Sequence, residues 1–80
     1  MPKNIVINRI PVESSHVKSA GYDSPNRILE VEFVKPQGTV WRYSPVTAEA
    51  WKDLQLSDSI GKWIHQNIKG NSTIDAVQIS

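Results

Sequence analysis

Apolar and polar side chains alternate from Leu29 to Phe33, which predicts a strand over residues 27–34 with one buried face. Three apolar side chains point to that face and two carboxylates to the other: Leu29, Val31 and Phe33 against Glu30 and Glu32. A hairpin turn, Lys35-Pro36-Gln37-Gly38, and a partner strand over residues 39–43 follow. Earlier strands are predicted over residues 4–10, ended by Pro11, and over residues 12–22. We therefore expect an antiparallel meander of three to four strands.

After the meander the apolar period lengthens to about four residues, which predicts helices. The first helix is expected to have Pro45 at its first position, with Ser44 or Thr47 as its N-cap, and to end near Gln55.

The second helix is predicted to begin near residues 57–58 and to end at a left-handed Gly70. Its apolar stripe consists of Ile60, Trp63, Ile64 and Ile68. Residues 74–79 are predicted to form either a last strand or an arm used in self-association.

These elements predict a single α+β domain over residues 1–80, a small meander followed by two short helices packed on one face. The expected core is Val17, Leu29, Val31, Phe33, Trp41, Tyr43, Leu54, Ile60, Trp63, Ile64 and Ile68. Glu30 and Glu32 would lie on the opposite, exposed face, where their charge disfavours RNA recognition through the open sheet.

The length and composition of the chain exclude several classes of protein and of functional site. Eighty residues exclude folds that need about 200 residues or more, and the absence of cysteine excludes disulfides, a thiolate nucleophile and Cys-type zinc sites. No apolar run approaches the ~18 residues that cross a bilayer, so we expect no membrane partner and a cytoplasmic location. Nine Lys and Arg against eight Asp and Glu give a net charge of +1, which leaves open only a local basic patch.

The candidate catalytic residues do not predict an enzyme. Ser14, Ser15 and His16 would lie on one strand, where Ser15 and His16 point to opposite faces and Ser14 lies ~6–7 Å from His16. His16 and His65 are too few for a metal site. We expect no catalysis, no metal and no cofactor.

Several short motifs occur in an order that resembles the KTSC domain, a module found at the C-terminus of some lysyl-tRNA synthetases and as stand-alone bacterial and phage proteins. They are Ser14-Ser15, Gly21-Tyr22, residues 29–33, Trp41-Arg42-Tyr43, Ser59-x-Gly61, Trp63 and Asn67-Ile68. The likeness covers about residues 9–69, leaving residues 1–8 as an N-terminal strand extension and residues 70–80 as a polar tail. Trp41 departs from the family's usual Tyr, and the usual Ser-Lys-Gly is Ser59-Ile60-Gly61. The resemblance implies a β-meander with helices and a role in RNA binding.

Two functions remain open. The first is a non-catalytic module that binds RNA or a small anionic nucleotide through a polar helix face; its expected ligand-binding residues are Arg42, Tyr43, Lys62, His65, Gln66 and Lys69. Trp41 and Tyr43 share a strand face and would either fill the core or stack on bases. The second is a self-assembling protein, phage-encoded in one version, whose β-rich ends pair with another copy and enclose a nucleotide between subunits.

Overall fold

The computed structural model describes residues 6–80 and has an α+β fold, as expected. Its five strands are β1 (Ile10–Pro11), β2 (Val17–Asp23), β3 (Ile28–Phe33), β4 (Val40–Ser44) and β5 (Asp75–Gln78). They form one antiparallel sheet in chain order, β1-β2-β3-β4-β5. The sheet has five strands where three to four were expected, because the end of the chain pairs with β4 and forms β5.

Two helices connect β4 to β5. The first, α1 (Ala48–Leu56), is capped by Thr47, whose side-chain oxygen accepts a hydrogen bond from the Ala50 amide at 3.1 Å. The expectation that Pro45 occupies the first helical position is wrong, because Thr47 is still extended and the helix begins after it.

The second helix, α2 (Ile60–Ile64), continues into a π-helical turn (His65–Lys69). The predicted left-handed stop at Gly70 is wrong, since Gly70 has a φ of −85°. The Asn71 amide donates to the Ile68 carbonyl at 3.2 Å, and this turn reverses the chain without a left-handed residue.

The predicted strand over residues 4–10 is wrong for residues 6–9, although Ile10 does lie in β1; Asn4 and Ile5 lie outside the described residues. Residues 6–9 form no strand, and Pro11, expected to end a strand, lies in β1. Ile7 is buried, and the Asn8 carbonyl oxygen lies only 2.4 Å from where a Cβ on Gly21 would be. The segment therefore packs on the sheet through its backbone at a position where only glycine fits.

The main core lies between one face of the sheet, here the inner face, and the helices. Its buried members are Val17, Leu29, Val31, Tyr43, Val46, Leu54, Ile60, Ile64 and Ile68. Phe33, Trp41 and Trp63, expected in the core, pack against this cluster but are only partly buried. Each of these three aromatic rings therefore keeps part of its surface exposed to solvent.

The outer face of the sheet is not the open surface that the alternation pattern suggested. Glu30 is only 2% exposed and Arg42 7%, and the Arg42 Nε donates to the Glu30 carboxylate at 2.7 Å. Arg9 forms a second ion pair with Glu30, and the Ser19 hydroxyl donates to Glu32 at 2.8 Å. The carboxylates are therefore paired beneath the N-terminal segment and do not face solvent as a repelling surface.

Candidate functional site

A groove with a cavity volume of about 590 Å³ opens where the start of β2, the end of β3 and the second helix meet. We call it the cationic groove. It is lined by Ser15, His16, Phe33, Val34, Lys35, Ser59, Gly61, Lys62, Ile64, His65 and Lys69. The volume is within the ~300–1,000 Å³ typical of small-molecule sites.

Local hydrogen bonds place the β2 end of this groove. The Ser14 hydroxyl accepts from the backbone amides of His16 and Val17, each at 3.2 Å, which bends the chain before β2 begins. The Val34 amide donates to the His16 carbonyl at 2.9 Å, so this bend is tied to the end of β3. A Cβ on Gly61 would lie 3.1 Å from the His16 Cβ, so glycine lets the second helix approach the bend closely.

The bend overturns the expectation that Ser15 and His16 point apart. They do not lie on a strand, and the Ser15 Oγ is 2.9 Å from the His16 Nδ1. Successive side chains point to opposite faces only where the chain is extended. Because the Ser14 hydroxyl binds two backbone amides, the residues that follow it are not extended. The pair lies at the rim of the cationic groove.

Positive charge is concentrated in this groove although the chain as a whole is almost neutral. Three lysines, Lys35, Lys62 and Lys69, line it together with two histidines, and none of its described lining residues is acidic. Glu30 and Glu32 lie on the outer sheet face, paired with arginine or serine. The folding of the chain therefore makes a local basic surface that the net charge of +1 does not reveal.

A second groove, of about 420 Å³, lies beside the first, between β4, β5 and the π-helical turn. We call it the aromatic groove. It is lined by Phe33, Lys35, Pro36, Thr39, Trp41, Tyr43, Ile68, Lys69, Ile74 and Ala76.

The two grooves share Phe33, Lys35 and Lys69 and are therefore adjacent along one surface. The Lys69 Nζ lies 4.7 Å from the centre of the Phe33 ring, a cation–π contact that positions the ammonium group between the grooves. A ligand with a planar ring next to an anionic group could therefore occupy both grooves at once.

Trp41 and Tyr43 differ in how much of each ring the aromatic groove exposes. Their rings stack at 6.4 Å between centroids with an interplanar angle of 14°. Tyr43 is only 3% exposed, and burial raises the pKa of its hydroxyl to about 12. Trp41 is only partly buried, so the indole is the accessible ring of the pair.

The structure brings together some of the expected ligand-binding residues and separates others. Lys62, His65 and Lys69 line the cationic groove, whereas Gln66 is exposed but lines neither groove. Tyr43 forms part of the buried side of the aromatic groove. Arg42 is not with them: it lies on the outer sheet face, beneath the N-terminal segment, and bonds Glu30.

The sequence did not identify several groove residues. Lys35 was assigned only to a hairpin turn, Phe33 only to the core, and the Ser15–His16 pair to opposite faces of a strand. The Ser14 hydroxyl was the one local signal for the bend, since serine favours such turns. Nothing in the local sequence places Lys35 beside the second helix, because that contact depends on the packing of distant elements.

Clusters of metal-ligating side chains and membrane-spanning helices are both absent from residues 6–80. They contain no group of three or more histidine or carboxylate side chains placed to share a metal ion. Neither helix in this part of the chain has the length and apolar composition needed to span a bilayer.

Comparison with known proteins identifies relatives over most of the chain. A family model for the KTSC domain matches residues 13–71. An uncharacterised protein of Stutzerimonas stutzeri is 38% identical over 63 residues, which covers 79% of this chain and 86% of that protein. A protein of Tsukamurella paurometabola is 36% identical over 59 residues, which covers 74% of this chain and 85% of that protein.

A solved structure agrees with the fold. The crystal structure of a KTSC domain protein from Yersinia pestis is similar to this chain with a TM-score of 0.83 and 29% sequence identity, covering 94% of this chain and 100% of that one. The meander, the helical layer and the two adjoining grooves define a small α+β protein with a surface site. The chain belongs to the KTSC domain family, which confirms the resemblance drawn from its motifs.

Proposed function

We propose that this protein is a non-catalytic binding module that takes a phosphate-bearing ligand, RNA or a nucleotide, in the cationic groove. The observation that carries the proposal is the convergence of Lys35, Lys62 and Lys69 on one groove whose described lining contains no carboxylate. Lysine ammonium groups bind phosphate as point charges, and each phosphate they neutralise adds to a salt-dependent affinity.

The same lining supports binding without catalysis. Ser15 and His16 are hydrogen-bonded, but a nucleophile of this kind also needs a group that orients the histidine, usually a carboxylate. None of the described groove residues is acidic. His16 and His65 therefore serve as hydrogen-bonding groups at the rim of an anion site.

Titration of a fluorescently labelled RNA, followed by anisotropy at several salt concentrations, tests the proposal. Three lysine–phosphate contacts predict that the logarithm of the binding constant falls with the logarithm of salt concentration with a slope of about −2. Lys62→Ala with Lys69→Ala should weaken binding and make the slope shallower. The matched control is Lys52→Ala, because Lys52 is exposed on α1 and lines neither groove. Absence of binding at about 50 mM salt, or equal losses in the control, would reject the proposal.

Self-association is a second candidate because β5 is an edge strand of the sheet. All four of its residues are exposed; Val77 in the strand is 51% exposed, and Ile79 just after it is 46% exposed. An unpaired apolar edge is a template for strand addition from another copy. Ala76 lines the aromatic groove, so β5 pairing would bring a second copy close to the ligand site, as a nucleotide-sequestering protein requires.

Light scattering coupled to size exclusion tests this second candidate. A dimer or larger assembly that dissociates in Val77→Lys would support it, because a charge on the edge blocks strand addition. A monomer at every concentration, with and without nucleotide, would eliminate it.

A further inference from the structure

We infer that the ligand is a single-stranded nucleic acid, one unpaired base of which stacks on Trp41 in the aromatic groove while its phosphates occupy the cationic groove. This inference rests on the proposed function and specifies the ligand class of the same site.

The first support is the adjacency of two different chemistries. The cationic groove supplies ammonium groups, the aromatic groove supplies rings and aliphatic side chains, and Phe33, Lys35 and Lys69 belong to both. A nucleotide unit has the same arrangement, with a flat apolar face joined to an anionic phosphate. Proteins that bind single strands combine a positive groove for the backbone with aromatic side chains that stack on bases.

The second support is that the Trp41 ring is available for stacking. Tyr43 is only 3% exposed, whereas Trp41 is partly buried and lines the groove. The stack on Tyr43, with an interplanar angle of 14°, holds the indole in a fixed orientation before any ligand arrives. A ring that is held in place loses little conformational entropy when a base stacks on it.

The form of the surface favours a strand with unpaired bases over a duplex. In a double helix the bases are stacked and paired, so a base reaches a side pocket only if it is flipped out of the helix. The lysines of the cationic groove extend beyond the shared boundary to Lys62, next to His65, which provides contacts for more than one phosphate.

Three oligonucleotide probes of about eight nucleotides, within the usual site size of single-strand binding folds, and one mononucleotide competitor separate base stacking from phosphate binding. They are a labelled single-stranded RNA, the same strand with abasic positions, a paired duplex of the same sequence, and unlabelled nucleoside triphosphate as competitor. We expect the single strand to bind most tightly and the abasic strand and the duplex to bind at least about fivefold more weakly, since a stacked base contributes ~1–3 kcal/mol. The triphosphate should compete only at a large excess.

Two variants assign the effect to the indole. Trp41→Leu should weaken single-strand binding by about 5- to 100-fold but leave abasic-strand binding within about twofold of the unmodified protein. Trp41→Phe keeps a smaller aromatic ring and is less disruptive to the fold. Its affinity for the single strand should lie between that of the unmodified protein and that of Trp41→Leu. The matched control is Trp51→Leu, because Trp51 stacks on Tyr22 and lines neither groove.

The possible results distinguish this inference from the proposed function. Equal affinity for abasic and base-bearing strands, or for duplex and single strand, overturns base stacking but leaves phosphate binding intact. Competition by nucleoside triphosphate at concentrations similar to the strand overturns the choice of a strand as ligand. Failure of every probe to bind at low salt overturns the proposed function itself.

Discussion

Tyr43 connects the core to the aromatic groove through a single side chain. Its ring is buried among apolar side chains of the main cluster, and burial raises the pKa of its hydroxyl to about 12, against about 10 in an unfolded chain. Burial also raises the pKa of Tyr22 on β2, with a further upward contribution from Asp23 opposed by Arg27. Both tyrosines therefore favour the folded state only while they are protonated.

We expect the free energy of unfolding to fall as the pH rises from about 10 to about 12. In this range the unfolded chain releases the Tyr43 proton while the folded protein retains it, so the unfolded state binds fewer protons and high pH favours it. The loss due to Tyr43 is about 2 kcal/mol, fully absent below pH 10. Urea unfolding at several alkaline pH values measures it. Tyr43→Phe should remove most of the difference, whereas an identical pH dependence in this variant would contradict the assignment.

The face of the sheet on which a side chain lies could be predicted from the sequence only where the backbone is regular. The alternation along β4 correctly predicts that Trp41 and Tyr43 share the core-facing side of the sheet. The same rule fails for Ser15 and His16 because the Ser14 hydroxyl, by accepting two backbone amides, replaces the extended conformation with a bend.

Gly21 fixes how the N-terminal segment contacts the sheet. The Asn8 carbonyl oxygen and the Ile7 side chain occupy the space that any larger residue at this position would need, at 2.4 and 3.0 Å from an added Cβ. Two backbones can approach this closely only because one of them carries no side chain. The segment in turn brings Arg9 over Glu30.

We therefore expect Gly21→Ala to lower the free energy of unfolding by about 1–3 kcal/mol, the usual cost of inserting a methyl group into a packed site. The matched control is Gly70→Ala, whose added Cβ would meet no atom closer than 3.5 Å and whose φ of −85° suits alanine. This control should stay within about 0.5 kcal/mol of the unmodified protein. Urea unfolding compares the two, and equal effects would show that the close contact at Gly21 does not matter for stability.

The strands and helices that could be predicted are those with a clear signal in their own local sequence. β3 and β4 agree with their predicted ranges to within one residue, and α1 ends within one residue of its predicted end and begins after the Thr47 cap, because each shows a clear periodicity or a side-chain cap. The N-terminal strand prediction was wrong for residues 6–9 because β-branched residues favour an extended chain but do not decide whether it pairs with the sheet or crosses it. The second helix ends at Gly70 as predicted, but Gly70 is not left-handed, and the periodicity gave no sign that the last turn is π-helical.

In the whole molecule, the two faces of the sheet have different roles. The inner face carries the core and opens at its edge into the two grooves, whereas the outer face buries Arg42 and Glu30 as an ion pair. The helical period correctly indicated that Lys62, His65 and Lys69 lie on an accessible face. It could not show that Arg42 is remote from them, because the burial of Arg42 depends on a segment more than thirty positions earlier in the chain, residues 6–9.

This separation predicts that stability and ligand binding respond to different substitutions. Arg42→Met should lower the free energy of unfolding by about 3 kcal/mol, because it leaves the buried Glu30 carboxylate with Arg9 as its remaining ion-pair partner. At a temperature where the variant stays folded, its affinity for RNA should be unchanged, since Arg42 lines neither groove. Lys62→Ala with Lys69→Ala should show the reverse, because both side chains are exposed and bear on the ligand.

The double substitution Arg42→Met with Glu30→Leu provides the control for this argument. Removing both charges leaves no unpaired carboxylate on the outer face, and replacement of a buried ion pair by apolar side chains is often neutral or stabilising. The double variant should therefore recover much of the stability that Arg42→Met loses, as measured by urea unfolding beside the RNA titration. If folded Arg42→Met and the double variant both bind RNA more weakly than the unmodified protein, Arg42 contacts the ligand. If both variants bind RNA as well as the unmodified protein, Arg42 stabilises the outer face only. The ligand then binds in the grooves on the opposite side of the sheet.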